Sequence, residues 1–573
     1  MIEGRNSRVF QFWRLHLVLF AMLLCVTAIG WKVSILHILE RDFLQRQGDA
    51  RTIRTVPLAA NRGLITDRNG EPLAVSTPVQ SIWVDPGQII GETQVINFLA
   101  EELELNAEVL ASSIEKNVTR EFLYAKRRLS PADAGKVLES QIDGVYAQQE
   151  YQRFYPQGEV TAHLVGFSNV DDIGQEGLEL TYDKWLRGIP GRRQVMKDPR
   201  GHIIGELNTI ETAQPGKNLE LSIDFRLQNI AYRELKEEFI TRRAKAASVV
   251  VLDVRTGEVL AMVNQPSYNP HNKSNMVDFS VLRNRAITDV FEPGSTIKPF
   301  TLSLALAKGV FTPDSRIMTG PGVHYVGGRR IQDYQDYGDL SFSEVLIKSS
   351  NVGAAKVALE MAPKELYDTL SAVGFGHTTG IELPGEQSGL LLNRERPVDH
   401  AWLSFGYGLS ATLLQLARAY GVFATEGILV PVTIRQEAKT RAGIRVLPAD
   451  VARQITLMLE RVVSEGTATR AVVPHYRVAG KTGTVHKIKP GGGYEKDRYR
   501  SLIAGFAPVS DPRFVLVVMI DDPKGGKHFG GEVAAPAFGY IMSDALRLHR
   551  VAPDAPESTL EIAARRGGLA TGA

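Results

Sequence analysis

Cysteine is almost absent from this chain of 573 residues, whose single thiol is Cys25. One thiol excludes a disulfide framework and a cysteine cluster for zinc or an iron–sulfur centre. The chain also lacks a charge excess, because 66 basic and 64 acidic residues leave a formal net charge of +2. That balance gives no reason to expect a nucleic-acid partner. We find no internal repeat and predict no metal and no cofactor.

Charged side chains are missing from one stretch near the N-terminus. Residues 15–31 contain no Lys, Arg, Asp or Glu, and apolar residues continue to Leu39. Trp13, Trp31 and Lys32 flank the stretch as aromatic and basic residues flank a membrane span. We therefore expect a cytoplasmic tail at 1–14 and a transmembrane anchor at 15–39. A cleaved signal peptide and a buried soluble helix are the alternatives.

The segment 291–300 carries the clearest chemical pattern. Its turn, Pro293-Gly294, precedes Ser295, and an apolar helical run follows from Thr301. Proline inside a helix loses the bond to the carbonyl four residues back, so Pro299 is tolerable only if the helix begins near Ser295. Lys298 then lies one helical turn along. A buried lysine loses its charge readily, and its neutral amine can take the proton of a neighbouring hydroxyl.

Spacing alone is weak evidence, since Ser113 and Lys116 have the same S-x-x-K spacing in a polar segment. Two later motifs set Ser295 apart. Ser349-Ser350-Asn351 follows 54 residues after Ser295 (349 − 295), and Lys481-Thr482-Gly483-Thr484 follows after 186 (481 − 295). S-x-x-K, S-D-N and K-T-G in this order are the signature of serine enzymes that recognise penicillin, here with Ser350 in place of the aspartate.

The chain resembles the class B penicillin-binding proteins, most of all the penicillin-binding protein 3 (FtsI) type. The three motifs carry this resemblance together with the segments 62–74, 153–156, 174–179, 252–261 and 405–408. The resemblance implies an α+β protein with a transmembrane helix, an elongated mixed α/β pedestal and a β-lactamase-like transpeptidase domain that has an antiparallel sheet with helices. We expect the non-catalytic pedestal, of the dimerisation type, at 43–224, the transpeptidase domain at 226–550 and a disordered tail at 551–573. The strand pattern agrees with that domain: an early hairpin, 247–254 with 258–264, can pair with strands at 477–484, 501–508 and 514–521.

The resemblance also implies an activity and its residues. The enzyme is expected to sit in the inner membrane, with its catalytic domain in the periplasm, and to cross-link peptide stems that end in D-Ala-D-Ala. β-Lactams mimic that end, and an FtsW-type glycosyltransferase and other division proteins are the expected partners. The implied catalytic residues are Ser295, Lys298, Ser349, Asn351 and Lys481. The implied substrate-binding residues are Thr482, Gly483 and Thr484, with Tyr407, Tyr499 and Phe529 as candidates for an aromatic rim.

A class A β-lactamase is the nearest rival, because it shares the three motifs but hydrolyses its acyl-enzyme with an extra glutamate. In that family the glutamate stands three residues before a Leu-Asn pair. Leu392-Asn393 is such a pair here, and the required position holds Gly389. The nearby glutamates, Glu382, Glu386 and Glu395, have the wrong spacing, which argues against rapid deacylation.

Two further alternatives stay open. A D,D-carboxypeptidase differs from a transpeptidase only in passing the acyl group to water instead of an amine. A non-enzymatic division scaffold would not need Ser295 at all. His475, His486 and His528 do not indicate a Ser-His-Asp triad, because no carboxylate is placed to orient any of them.

Overall fold

The computed structural model describes residues 6–197, 203–272, 278–437, 441–489 and 491–555. The chain forms two compact units. The first comprises Met1–Asn61, Pro78–Gln152 and Gly188–Pro215, and the second comprises Arg62–Thr77, Arg153–Arg187 and Gly216–Ala573. Of the expected tails, residues 1–5 and 556–573 lie outside the described residues.

The first unit begins with the apolar helix. An α-helix, Asn6–Ser34, continues as a π-helical turn, Ile35–Leu39, and is followed by the helix Arg41–Thr52. Twenty-nine residues at 1.5 Å each give about 43 Å, enough to cross a hydrocarbon core of about 30 Å. The apolar part, Phe12–Leu39, is not buried inside the protein, and among the described residues it is the one helix long and apolar enough to span a membrane. It fits a single-pass anchor.

The rest of the first unit is a small mixed fold. Its strands pair in two groups, and four short helices cover the core residues Ile82, Leu99, Leu103, Ile114 and Val137. Asn106 and Ser130 cap two of these helices by accepting backbone N–H bonds from Val109 and Asp133. The strands are Ile53–Leu58, Gly191–Lys197 and Ile203–Glu211, and the later part of Pro72–Val84 with Leu123–Leu129 and Val145–Phe154; the helices are Pro86–Ile89, Thr93–Glu102, Ala107–Lys116 and Pro131–Glu139.

Parts of the expected pedestal belong to the second unit. Arg62 and Arg153 both reach the buried carboxylate of Glu179, each with an N–O distance of 2.6 Å, and Arg62 also bonds Asp183 at 2.9 Å. Removing one partner of such a buried ion pair costs about 3–5 kcal/mol. This network fastens residues 62–77 to 153–187. An Asn-Gly turn lies nearby, with Gly70 at a φ of +86° and Asp67 accepting from the N–H groups of Asn69 and Glu71.

The second unit is built on a five-stranded antiparallel sheet, and the pairing expected between early and late strands is confirmed. Its order is Val259–Gln265, Ala246–Asp253, Phe514–Asp521, Tyr494–Ala507 and Ala479–Ile488. Ala246–Asp253 and Phe514–Asp521 are buried at every position, because helices cover both faces of the sheet centre. Ala479–Ile488, which contains the K-T-G motif, is an edge strand.

Helices and short hairpins surround this sheet. The helices are Ala162–Val165, Gly177–Thr181, Asp183–Leu186, Phe225–Thr241, Arg285–Thr288, Lys298–Ala307, Phe342–Ile347, Asn351–Leu359, Pro363–Ala372, Pro397–Leu403, Leu413–Ala424, Ala449–Ser464, Gly530–Val533 and Ala535–Leu548. The short strands are Ile65–Thr66, Phe167–Ser168, Gly174–Glu176, Leu219–Glu220, Arg316–Met318, Val323–Val326, Arg329–Gln332, Asp339–Ser341, Ile428–Leu429 and Ile444–Arg445. The first five residues of the expected tail, 551–555, are held to the domain: Asp554 accepts from the N–H groups of Arg477 and Ser510.

The helix Leu413–Ala424 is the buried support of the candidate site. Tyr420, fully buried, donates its hydroxyl to the carbonyl of Thr296 at 2.8 Å. Phe423 and Tyr420 also pack against Phe300, with ring centroids 4.9 and 5.8 Å away. These contacts hold the helix that follows Ser295 in place on its buried side.

Candidate active site

Ser295 lies in a short 3-10 turn, Gly294–Ile297, and the α-helix begins three residues later, at Lys298. Pro299 explains the delay: it has no N–H to give to the carbonyl of Ser295, and the N–H of Lys298 donates to that carbonyl instead. Gly294 has a φ of +57°, and a Cβ there would lie 2.3 Å from Val485 Cγ1. Its N–H donates to the carbonyl of Gly406 at 3.1 Å. Only glycine allows this close, left-handed turn.

Lys298 is fully buried, and its amine lies against the S-x-N motif. The Nζ atom is 2.5 Å from the carbonyl of Ser349, 2.8 Å from Asn351 Oδ1 and 3.2 Å from Ser349 Oγ. Burial, together with the nearby charge of Lys481, holds the pKa of Lys298 well below its usual range. A neutral amine has two N–H donors, which the carbonyl and the amide oxygen accept, and one lone pair that stays available for a hydroxyl proton.

The S-x-N motif sits on a strained turn. Ser349 has a φ of +62°, in the left-handed region that costs a non-glycine residue about 1 kcal/mol or more. Ser350, at the position where the related motif has aspartate, begins the helix Asn351–Leu359 and accepts the N–H of Gly353 at 2.8 Å. The turn therefore presents Ser349 and Asn351 to Lys298.

Asp333 holds this turn, although no motif in the sequence pointed to it. Its carboxylate accepts from Ser350 Oγ at 2.6 Å, from the N–H of Asn351 at 2.5 Å and from that of Val352 at 3.0 Å. The helix N-terminus adds to this attraction for negative charge. Asp333 is 4% exposed and lies directly after the hairpin strand Arg329–Gln332. Its negative charge also opposes the lowering of the Lys298 pKa.

Replacing Asp333 with asparagine is expected to slow acylation of Ser295 about tenfold, because a charged acceptor of three hydrogen bonds is lost. With that negative charge gone, the pKa of Lys298 falls further, so the acid limb of the pH profile of acylation moves to lower pH. Penicillin acylation rates measured between pH 5 and 8 check both effects. The matched control is Asp336→Asn, on the same loop, whose carboxylate accepts the N–H of Gly338. An acid limb that stays in place would show that Asp333 does not act on Lys298.

The edge strand Ala479–Ile488 brings the K-T-G motif to the Ser295 turn. Lys481 is fully buried, its Nζ donates to the carbonyl of Thr482 at 3.1 Å, and burial lowers its pKa to about 7. Thr482 Oγ1 is 2.7 Å from Thr467 Oγ1, and Thr484 Oγ1 accepts the N–H of Gly530 at 2.9 Å. A Cβ on Gly483 would lie 3.1 Å from both the carbonyl of Pro293 and Thr296 Cγ2. Close packing on the Ser295 turn thus favours glycine, a reason different from the substrate contact expected from the sequence.

The pKa of Lys481 predicts an alkaline limb for acylation by peptide donors. As pH rises through about 7, Lys481 loses the charge that would attract the donor's terminal carboxylate. We expect kcat/KM, which reports the free enzyme, to fall above that pH. The same donor with a C-terminal amide should lack this limb. If both donors lost activity together, Lys481 would not act on the carboxylate.

The expected aromatic rim divides into two groups. Tyr499 stacks on His528 with centroids 4.1 Å apart and lies 4.5 Å from His486, while Phe529 is 4.5 Å from His528 and 42% exposed. Tyr407 belongs elsewhere. Its ring packs edge-on against Tyr494 at 5.6 Å, beside Trp402 and Phe405.

The glutamates weighed for the β-lactamase alternative have other contacts. Glu386 accepts from the backbone N–H of Thr379 and of Gly380, and Glu382 accepts from Thr433 and pairs with Arg441. Glu395 is exposed. Two of the three carboxylates are thus occupied by loop contacts, which disfavours the use of either one to activate a deacylating water.

Two family profiles match most of the chain. Residues 247–543 match the penicillin binding protein transpeptidase domain, and residues 57–221 match the penicillin-binding protein dimerisation domain. The peptidoglycan D,D-transpeptidase FtsI of Escherichia coli K12 is 42% identical over 551 residues, 95% of this chain and 93% of that protein. A probable peptidoglycan D,D-transpeptidase, PbpC of Pseudomonas aeruginosa, is 41% identical and covers 97% of this chain and 98% of its own length.

Solved structures agree with these relatives. The transpeptidase domain of penicillin-binding protein 3 from Burkholderia pseudomallei has a TM-score of 0.54 and 43% identity, covering 59% of this chain and 98% of its own. Penicillin-binding protein 3 of Mycobacterium tuberculosis, solved with aztreonam, has a TM-score of 0.68 and 28% identity, covering 87% of this chain and 99% of its own.

Proposed function

The chain belongs to the class B penicillin-binding proteins of the FtsI type, and we propose that it is a peptidoglycan D,D-transpeptidase in which Ser295 is the nucleophile and Lys298 its base. The observation that carries this assignment is the buried amine of Lys298, whose hydrogen bonds go to Ser349 and Asn351. Its depressed pKa favours the neutral form, which a base must have before it takes a proton.

Acylation would begin with the attack of Ser295 Oγ on the carbonyl of the penultimate D-Ala. Lys298 takes the hydroxyl proton, and the N–H groups of Ser295 and Thr484 would hold the oxyanion, each such donor being worth about 3–4 kcal/mol. As the C–N bond breaks, Ser349 relays the proton to the leaving D-Ala. Ser349 Oγ, 3.2 Å from Lys298 Nζ, is close enough to pass that proton on.

Substrate binding would use the free edge of Ala479–Ile488. An edge strand has unpaired backbone N–H and C=O groups, and an extended peptide can add to it as a further strand. Lys481, Thr482 and Thr484 would then meet the terminal carboxylate. Tyr499 and Phe529 would line one part of the rim and Tyr407, whose hydroxyl lies by the backbone of His486, another part, and β-lactam side chains would bind along it.

Deacylation by an amine distinguishes a transpeptidase from a carboxypeptidase. In the proposed reaction an amine from a neighbouring stem attacks the ester carbonyl, a C–N bond forms, and Ser295 recovers its proton. Incubating the full-length protein with a labelled donor and an amine acceptor, followed by mass spectrometry, should detect the amide product. Hydrolysed donor alone, at saturating acceptor, would favour the carboxypeptidase.

The architecture and partners of the enzyme are also proposals. We place the anchor at 15–39, the pedestal at 43–224 and the transpeptidase domain at 226–550, with the N-terminus in the cytoplasm and the catalytic domain in the periplasm. Because residues 43–224 show no clear pair of catalytic carboxylates for sugar chemistry, polymerised glycan would come from an FtsW-type partner working with other division proteins.

A further inference from the structure

Glu292 is a buried carboxylate that the proposed mechanism does not use. It stands three residues before Ser295 and is 7% exposed. Its Oε1 atom accepts the N–H of Gly408 at 2.9 Å and lies 3.3 Å from the hydroxyl of Tyr494. Within the described part of the chain its Oε2 atom is buried without a hydrogen-bond partner.

Such an oxygen is unusual, because a buried carboxylate normally has a cation or several donors. The cation that acts on it, Arg500, pairs with Asp521 through an Nε–Oδ1 distance of 3.2 Å. Burial outweighs the other influences and raises the pKa of Glu292. A ligand that brought a positive charge to Oε2 would therefore satisfy both the charge and the unused acceptor.

The position of Glu292 along the edge strand indicates which part of a donor could bring that charge. Glu292 follows Phe291 and precedes the turn whose Gly294 lies against Val485. Tyr494, which contacts Glu292, pairs with Ile488, and the Tyr407 hydroxyl lies by the backbone of His486. Glu292 is therefore beside residues 485–488, on the opposite side of Thr484 from Lys481.

A donor whose carboxylate meets Lys481 and whose reacting carbonyl meets Thr484 extends along the strand past Thr484. Successive residues of an extended peptide are about 3.3 Å apart, so the residue before D-Ala-D-Ala reaches the level of residues 485–486. In a peptide stem that residue is the diamino acid. Its side chain carries a primary ammonium.

We propose that Glu292 is a specificity-determining residue that binds the side-chain ammonium of the diamino acid preceding D-Ala-D-Ala in the donor stem. The inference rests on the proposed function, since it needs a donor acylating Ser295. Tyr494, at the start of its strand after three glycines with positive φ, has its hydroxyl 3.3 Å from Oε1. Binding would move its hydroxyl away from Oε1.

Three thioester donors that differ only at this side chain test the proposal: one with a free amine, one with the amine acetylated, and one with norleucine. For the unaltered full-length protein we expect kcat/KM of acylation to favour the free amine about tenfold to a hundredfold, as for a charge-assisted hydrogen bond. Glu292→Gln should reduce that preference to below about threefold. Tyr494→Phe, which keeps the carboxylate, should retain it.

Two results would overturn the proposal. The first is that the unaltered protein shows no preference for the free-amine donor. The second is that Glu292→Gln lowers kcat/KM equally for all three donors, which would mean that Glu292 only supports the Ser295 turn. If Glu292→Gln fails to fold, Glu292→Asp takes its place. Glu292→Asp should show a smaller preference for the free-amine donor than the unaltered protein does. An unchanged preference, or none, would count against the proposed role of Glu292. If neither the three donors nor benzylpenicillin acylate the unaltered protein, the proposed function itself is wrong.

Discussion

Replacing Lys298 with methionine is expected to slow acylation of Ser295 by benzylpenicillin about a thousandfold, the middle of the range for a lost general base. Methionine fills the same buried space with an apolar chain, and burial already disfavours the lysine charge. Thermal stability should therefore change little while the rate falls. Stopped-flow measurement of acylation, with a thermal melt of the same sample, separates the two effects.

Lys308 provides the matched control, because it follows the last residue of the same helix and makes an exposed ion pair with Glu365. Surface pairs contribute about 0–1 kcal/mol, so Lys308→Met should acylate at nearly the rate of the unaltered protein. An acylation rate for Lys298→Met within about tenfold of that rate would place the base elsewhere.

Replacing Ser295 with alanine should abolish the covalent adduct with penicillin altogether, because it removes the proposed nucleophilic hydroxyl from the turn Gly294–Ile297. In a strain depleted of its own septal enzyme, the variant should fail to restore division. Ser113→Ala is the control, since Ser113 and Lys116 repeat the S-x-x-K spacing on the helix Ala107–Lys116. It should label and support growth normally. Growth supported by Ser295→Ala would favour the division scaffold.

The sequence predicted the parts of the site that depend on local pattern. Pro299 and the Pro293-Gly294 turn placed Ser295 just before a helix, and strands at both ends of the later segment predicted one α+β domain. The structure then brings Lys298 within 3.2 Å of Ser349 Oγ and 2.8 Å of Asn351 Oδ1. The order of the three short motifs was enough to predict that these side chains lie close together. It did not predict the distances between them.

Other features depend on contacts between distant segments, which local patterns do not encode. Asp333 reaches Ser350 only because a hairpin folds back across 17 residues. Glu179, which meets Arg62 across 117 residues, joins segments of the expected pedestal to the second unit. The neighbouring motif residues also did not predict that Glu292 is buried, or that its Oε2 atom has no hydrogen-bond partner within the described residues. The sequence feature that could have indicated Asp333 is an acidic residue close to Gly327-Gly328, the glycine pair of the hairpin turn.

The most direct test of the central claim is the intact mass of the full-length protein after exposure to benzylpenicillin, followed by mapping of the modified peptide. Ring opening adds the whole drug to the nucleophile, so the account predicts a long-lived gain of one drug mass on the peptide that contains Ser295. An unchanged mass, or an adduct on a peptide without Ser295, would contradict it.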